Sequence, residues 1–159
     1  MTYSPALHVV LYQPEIPQNT GNIGRTCLAI GAKLWLIRPL GFRIDEHHLR
    51  RAGLGYWEHL QWQAVPDWES YVPTLDMQHT WLFSKSATKI YTDVAYDAGD
   101  TLMFGSESQG LPSSLMEKHP DRVVGIPIRE PVRSLNLSSA VAIAGYEALR
   151  QWRERDQGR

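Results

Sequence analysis

The sequence predicts an α/β fold in which a mainly parallel sheet carries helices on both faces. Short apolar runs of strand-forming residues alternate along the chain with helical patterns, and each run is continuously apolar. Strands covered on both faces have this pattern, and alternating strands and helices are typical of parallel sheets. A length of 159 residues suits one folding unit, so a single domain is expected over residues 1–159.

The first half of the chain carries two of the predicted strands. Residues 7–12 are rich in strand formers and are predicted to form a buried strand, and residues 34–37 form a second one. Between them a helix is predicted to run through Ile30 and to stop at Gly31. A short helix is predicted over residues 45–51, where acids come first and bases last, as the helix dipole favours.

The second half continues the alternation. Further strands are predicted at residues 81–83, 101–104 and 123–128, the last interrupted by a proline. The longest helix is predicted over residues 137–153, with Asn136 or Ser138 as its N-terminal cap, because apolar residues recur there at helical spacing. Residues 57–73, which are rich in tryptophan and acids, fit neither pattern and receive no assignment.

Composition excludes several classes of protein. A single cysteine, Cys27, leaves no internal disulfide framework and no four-cysteine zinc site, and it favours a reducing compartment. No apolar run approaches the roughly 18 residues of a membrane span, and the N-terminus lacks the regions of a signal peptide. We therefore expect a cytoplasmic protein without a membrane partner.

The net charge of −1 conceals a partition along the chain. Residues 1–51 carry six Lys and Arg against three Asp and Glu, whereas residues 52–125 carry four against ten. Residues 126–159 carry six against four. A uniformly basic nucleic-acid binder is excluded, but a local basic surface forms if the two ends converge. Any binding of a nucleic acid to such a surface is expected to be sensitive to salt.

The signatures of several common catalytic sites are missing. The chain has no Walker A loop, no Gly-x-Gly-x-x-Gly after the first strand and no Gly-x-Ser-x-Gly elbow. His47 and His48 are adjacent and point to different faces, and no Asp, Glu or Cys stands at metal-ligand spacing from them. Cys27 lies on the apolar face of a predicted helix. We expect neither a metal nor a cysteine nucleophile.

Three segments place small or polar residues where a strand meets a helix, which is where open α/β sheets bind ligands. They span residues 19–25, 102–112 and 126–138. In the first segment Asn19, Asn22 and Arg25 are three residues apart and share a face if the segment is helical. The ordinary alternative is that Asn19 or Asn22 caps a helix, that the glycines form turns, and that the arginines are solvated.

Taken in this order, the three segments resemble the three motifs of the SPOUT class of RNA methyltransferases. The matching stretches are Asn-Thr-Gly-Asn-Ile-Gly-Arg, Phe-Gly-Ser-Glu-x-x-Gly-Leu-Pro and Arg-Ser-Leu-Asn-Leu-Ser-Ser-Ala. Residues 12–19, Tyr-Gln-Pro-Glu-Ile-Pro-Gln-Asn, are similar to those of the small bacterial tRNA (cytidine/uridine) 2′-O-methyltransferases, which modify the wobble nucleotide. The likeness covers nearly the whole chain.

The resemblance implies a deep C-terminal trefoil knot in the sheet, which the pattern of elements does not predict because topology rules normally exclude knots. It also implies S-adenosylmethionine as the methyl donor. The cofactor site is expected to involve Phe83, Gly105, Ile126, Ser134 and Leu135. Members of the class are homodimers whose long C-terminal helix contributes to the interface, so a homodimer is expected.

The resemblance makes Arg25 the principal catalytic residue. Arginine stays protonated near neutral pH, so Arg25 is expected to orient the ribose-phosphate and to stabilise charge on the attacking oxygen. Action of Arg25 as a general base is the alternative. Asn19 and Asn22 are expected to position Arg25 or the ribose. Glu107 is expected to hold Arg25 by a charge-assisted hydrogen bond, and Asn136 to shape the site.

Contacts to tRNA are expected from side chains that position a nucleic acid without reading its sequence. The candidates are Arg50, Arg51, Arg129, Arg133 and Tyr146. The main hypothesis is therefore 2′-O-methylation of the wobble nucleotide of tRNA. Two alternatives stay open: a non-catalytic RNA-binding module of the same fold, and an enzyme that methylates another tRNA or rRNA position.

Overall fold

One sheet of six parallel strands organises the computed structural model, which describes residues 5–44 and 55–158. The strands are β1 (Leu7–Tyr12), β2 (Ala32–Ile37), β3 (Trp62–Val65), β4 (Thr80–Phe83), β5 (Thr101–Phe104) and β6 (Val123–Val124). They lie in the order β3-β2-β1-β5-β4-β6, and every neighbouring pair is parallel. The predicted parallel sheet is confirmed. The helix predicted over residues 45–51, with Arg50 and Arg51, lies outside the described residues.

Helices cover both faces of the sheet, as predicted. They are α1 (Pro17–Ile30), α2 (Trp68–Tyr71), α3 (Ser113–Lys118) and α4 (Leu137–Gln157). Short 3₁₀ helices lie at Gly55–Glu58, Val72–Thr74, Met77–His79, Tyr91–Asp93 and Pro120–Arg122. None of the helices in these ranges is long and apolar enough to cross a membrane.

The core has two layers because successive residues of a strand point to opposite faces. On one face Leu11 and Phe104 pack with Cys27 of α1 and Ala144 of α4. On the other face Met103 and its neighbours pack against α2 and α3. Each strand of the centre is therefore buried on both sides, which explains its continuous apolar run.

The two long helices begin differently from one another. Asn136 caps α4: its Oδ1 accepts hydrogen bonds from the backbone N of Ser138 (2.9 Å) and of Ser139 (3.3 Å). The predicted cap at Asn136 is confirmed. Helix α1 instead begins at Pro17 without a side-chain cap, so Asn19 and Asn22 lie inside it, and the alternative in which one of them caps a helix is wrong.

Two strand predictions differ from the structure. The strand predicted over residues 123–128 ends at Val124, because Gly125 next bonds to the loop of Lys89 and Tyr91 rather than continuing the ladder. The edge strand β3 was not predicted. Helix α1 ends as predicted at Ile30, with Gly31 in the left-handed conformation (φ 76°) that glycine adopts readily.

Candidate active site

A cavity of about 550 Å³ lies at the carboxyl ends of β4, β5 and β6. Its walls are the turn after β4, the turn over residues 105–111 after β5, and the loop over residues 126–136 before α4. All five residues that were predicted to bind the cofactor line it: Phe83, Gly105, Ile126, Ser134 and Leu135. The cavity occupies the place where open α/β sheets bind ligands, and its volume suits a small molecule.

The floor of the cavity is apolar. The rings of Phe83 and Phe104 stack with their centroids 4.7 Å apart and an interplanar angle of 20°. Polar groups are supplied by the surrounding backbone. Among the residues that the structure describes, the amide N–H groups of Ser134 and Leu135 donate to no protein acceptor. An apolar floor with a few free backbone donors is the usual chemistry of a cofactor pocket.

Gly105 is required by the turn that it begins. A Cβ atom at this position would lie 2.0 Å from the carbonyl carbon of Gly110 and 2.2 Å from the amide nitrogen of Leu111. The turn is closed by a hydrogen bond of 3.0 Å from the Gly110 amide to the Ser106 carbonyl. Gly105 therefore shapes the wall of the cavity by letting two backbone segments approach closely.

The carboxylate of Glu107 joins this turn to the entrance of α1. It accepts hydrogen bonds from the backbone amides of Glu15 (2.9 Å) and Ile16 (2.7 Å), and from Nδ2 of Asn19 (3.3 Å). The predicted contact of Glu107 with Arg25 is not formed within residues 5–44 and 55–158: the carboxylate binds the donors named above, and the Arg25 guanidinium lies over the Tyr56 ring instead.

Asn19 links all three motifs. Its amide donates to Glu107, and its Oδ1 accepts a hydrogen bond of 3.0 Å from Nδ2 of Asn136, the residue that caps α4. Asn19 is itself 6% exposed, so its side chain depends on these two partners to satisfy its polar atoms. The structure thus brings these three predicted site residues together, and their hydrogen bonds join the loops around the cavity.

Glu15 belongs to the same cluster but was missed from the sequence. Its Oε1 accepts hydrogen bonds from the backbone N of Ser108 (3.0 Å) and from its Oγ (2.5 Å), which lower the pKa of the Glu15 carboxyl. The Glu15 carboxylate thus bonds to the turn that carries Glu107, and the Glu107 carboxylate bonds to the segment that carries Glu15. The signal was available, since Glu15 follows the carboxyl end of β1 as Glu107 follows that of β5.

Arg25 and Asn22 lie on the exposed side of α1, outside the cavity lining. The guanidinium carbon of Arg25 lies 5.0 Å from the centre of the Tyr56 ring, within the range of a cation–π contact. Asn19 is buried in the preceding turn, so the three residues do not form one uniform face. The predicted RNA contacts Arg129, Arg133 and Tyr146 are exposed, a disposition that leaves their role untested.

The comparison with protein families decides the identity of the fold. The sequence model of the SpoU rRNA Methylase family matches residues 6–146. The chain belongs to the SpoU methylase family. The resemblance to SPOUT-class RNA methyltransferases is thereby confirmed.

Individual SpoU methylases align with nearly the whole chain. A protein of Geobacillus stearothermophilus called "Putative tRNA (cytidine(34)-2'-O)-methyltransferase" is 46% identical over 151 residues, which are 92% of this chain and 95% of that protein. A solved structure that concerns "the 2-OH methylation of C/U34 on tRNA" has a TM-score of 0.86 and 43% identity, covering 93% of this chain and 97% of its own.

The SpoU fold is also shared with more distant proteins. AviRb of Streptomyces viridochromogenes, solved in complex with the cofactor AdoMet, has a TM-score of 0.80 and 22% identity. The match covers 95% of this chain and 60% of AviRb. At this identity the likeness concerns the fold alone.

Two further groups of this SpoU methylase bear on the predicted chemistry. Complete burial raises the pKa of the Cys27 thiol, which agrees with a packing role rather than nucleophilic catalysis. His79, Asp97 and Asp100 approach one another within 4.8 Å. This cluster lies before β5, at the end of the sheet opposite the cavity, and Asp100 already binds His79 Nδ1 (3.0 Å) and the Asp97 amide (2.9 Å). Nothing links it to the candidate active site.

Proposed function

We propose that this protein transfers a methyl group from S-adenosylmethionine to the ribose 2′-hydroxyl of cytidine or uridine at position 34 of tRNA. One observation carries the proposal. Residues of all three methyltransferase motifs line a single cavity, and Arg25, the basic residue of the first motif, is exposed on the same helix as the lining residue Asn19. The position on tRNA follows from the names of near-full-length relatives.

The cavity fits S-adenosylmethionine in size and in chemistry. The stacked rings of Phe83 and Phe104 offer an apolar surface to the adenine, and the free amides of Ser134 and Leu135 offer donors to its acceptor nitrogens. The sulfonium of the bound cofactor supplies an activated methyl group. The protein must then present the ribose hydroxyl in line with it.

Arg25 is proposed to hold the acceptor. A guanidinium binds ribose-phosphate oxygens as a fork of donors, and it stays protonated, so it stabilises negative charge that develops on the attacking oxygen. Asn22, one turn earlier and also exposed, is proposed to orient the ribose or Arg25. Asn19, Glu107 and Asn136 are positioning residues, since their hydrogen bonds join the cavity walls to the helix that carries Arg25.

The proposed fold is a single domain with a C-terminal trefoil knot. Helix α4 follows β6 at one edge of the sheet, yet it packs against α1 near the centre. It also bonds to the connection between β4 and β5: the amide of Tyr96 donates to Oε1 of Gln151 (3.0 Å), and the Trp152 indole donates to the Tyr96 carbonyl (2.8 Å). A crystal structure traced through this region tests the threading.

A homodimer with a shared tRNA surface is also proposed. On α4, Ile143 (37% exposed) and Tyr146 (51% exposed) are three residues apart and present an apolar patch that a second subunit can cover. Arg129 and Arg133 on the loop before α4 are proposed to contact phosphates. Sedimentation of the purified protein tests the dimer, and a salt titration of tRNA binding tests the phosphate contacts. A cytoplasmic location is proposed together with the tRNA substrate.

The decisive experiment incubates the protein with labelled S-adenosylmethionine and unmodified total tRNA, then maps methylated nucleosides by mass spectrometry. The expected product is 2′-O-methylcytidine or 2′-O-methyluridine at position 34. Methylation of a base, or of a ribose elsewhere, would contradict the proposal. Calorimetric titration with the cofactor distinguishes the non-catalytic alternative, which predicts no binding at millimolar cofactor.

A further inference from the structure

The short 3₁₀ helix Gly55–Glu58 packs on α1 through a glycine–tryptophan contact. A Cβ atom at Gly24 would lie 2.9 Å from three atoms of the Trp57 indole, so only glycine lets this ring lie directly on the helix backbone. Trp57 is 6% exposed and packs edge-on against Trp62 of β3, with the ring centroids 5.2 Å apart. The contact therefore fixes the 3₁₀ helix between α1 and the edge of the sheet.

This contact fixes the neighbouring pair of residues as well. Tyr56 precedes Trp57, and Arg25 follows Gly24, so docking of the indole brings the Tyr56 ring and the Arg25 guanidinium together at 5.0 Å. An exposed arginine otherwise samples many rotamers, each of which moves the guanidinium by several ångströms. A ring held by its buried neighbour restricts that freedom without neutralising the charge.

We propose that Tyr56 is a positioning residue for Arg25, held in place by the contact of Gly24 with Trp57. The inference rests on the proposed catalytic role of Arg25. Tyr56 acts through its aromatic face, which keeps the guanidinium over α1 and ready for the ribose-phosphate of the substrate. Tyr56 lies outside the three motif segments, residues 19–25, 102–112 and 126–138, and the sequence suggests for it only a platform for stacking a base.

Packing alone does not account for a tyrosine at this position. The buried anchor of the 3₁₀ helix is Trp57, whereas Tyr56 is 38% exposed. Its hydroxyl makes no hydrogen bond within residues 5–44 and 55–158. The contact that uses its chemistry is the cation–π contact with Arg25, and phenylalanine preserves that contact while leucine does not.

Steady-state methylation of tRNA tests the inference with three variants. Tyr56→Leu is expected to lower kcat about three- to five-fold with little change in the KM for tRNA and in the Kd for the cofactor, since a guanidinium that wanders is less often in the reactive position. Tyr56→Phe is expected to restore kcat. Glu58→Gln is the matched control, because Glu58 is exposed on the same 3₁₀ helix. Thermal unfolding checks that all three variants fold.

Three kinetic outcomes would overturn the inference: an unchanged kcat in Tyr56→Leu, an equal loss in Tyr56→Phe, or a raised KM for tRNA with unchanged kcat. The last would make Tyr56 a base platform. NMR of the Arg25 Nε–H group gives a readout without activity. Its resonance is expected to lose a ring-current shift and gain mobility in Tyr56→Leu but not in Tyr56→Phe, and identical spectra would refute the pairing. If the wild-type protein methylates no tRNA, the proposed function fails while this NMR test still decides the pairing.

Discussion

The two halves of the candidate site are built in different ways. Around the cavity, hydrogen bonds join the buried Asn19 to Glu107 of the turn after β5 and to Asn136 at the start of α4. Further along α1, Arg25 is exposed, and its guanidinium lies over the ring of Tyr56. The cavity half is therefore preformed, whereas the Arg25 half is exposed and accessible to a large partner.

This difference agrees with the division of labour in the proposed reaction. A small cofactor is bound well by a rigid pocket, because little freedom is lost on binding. A tRNA carries negative charges and covers exposed side chains when it binds. An exposed basic group therefore stays hydrated, with no desolvation penalty, until the tRNA binds. The predictions below test whether the two halves are separable.

Replacing Arg25 is expected to have the largest effect and to leave the cavity half intact. Arg25→Ala removes the donors that are proposed to stabilise the developing charge, so kcat is expected to fall at least about 100-fold. The Kd for S-adenosylmethionine, measured by calorimetry, is expected to stay within about two-fold, since Arg25 does not line the cavity. Arg25→Lys keeps the charge but loses the fork and should be intermediate. A large loss of cofactor affinity would show that the halves are not separate.

Replacing Gly105 is expected to damage the cavity half first. The methyl group of Gly105→Ala would overlap the backbone of Gly110, so the turn must open, at a cost of about 2–3 kcal/mol in the free energy of unfolding. Cofactor affinity is expected to fall at least about ten-fold with the wall displaced. Gly158→Ala is the control, because its Cβ would meet nothing nearer than 3.4 Å. Unchanged stability in Gly105→Ala would refute the close approach.

Glu107→Gln probes the connection between the halves. The amide keeps the size of the side chain but turns one acceptor into a donor that faces a backbone N–H of Glu15 or Ile16. Chemical unfolding is expected to show a loss of about 1–3 kcal/mol. Both kcat and cofactor affinity are expected to fall, by a few-fold each. Glu117→Gln, an exposed carboxylate on α3, serves as the control. A loss of kcat without a loss of cofactor affinity would contradict this, because it would indicate that Glu107 acts on Arg25 and not on the cavity.

The smallest effect is expected at the opposite end of the sheet. Burial, together with the charge of Lys33, lowers the pKa of His8, whose Nδ1 accepts a hydrogen bond of 3.0 Å from the Trp35 indole. The unfolded chain therefore binds the proton first, near pH 6.5, and stability is lost as the pH falls from there through the lower folded pKa. Between pH 7.5 and 5.5 the Tm is expected to drop by about 1–3 °C more in the wild type than in His8→Gln. Equal drops would refute this, and the Kd for the cofactor should not depend on His8.

The central strands could be predicted from the sequence because burial on both faces leaves a strong signature. The predicted bounds of β1 and β5 coincide with those of the structure. Strand β3 was missed because it lies at the edge of the sheet and is only partly buried, so Trp62–Val65 is not a continuous apolar run. Its tryptophan serves instead to anchor Trp57.

The candidate site could be predicted as a set of residues but not as a set of contacts. Asn19, Glu107 and Asn136 meet as the motif resemblance implied. Two partners of Glu107 are backbone amides, which every residue except proline possesses, so no side-chain pattern predicts them. The contact of Tyr56 with Arg25 was equally hidden, since it depends on a glycine that admits an indole to the surface of α1.

The hydrogen bonds between Glu107 and the segment before α1 affect the order of folding during synthesis. The acceptors for the amides of Glu15 and Ile16 stand 92 and 91 residues later in the chain. When α1 has emerged from the ribosome, the Glu107 carboxylate that binds the segment before this helix has not yet been synthesised or has not yet emerged. We expect the N-terminal third to remain loosely held until β5 and its turn emerge, so a ribosome stalled before residue 107 should expose a protease-sensitive α1.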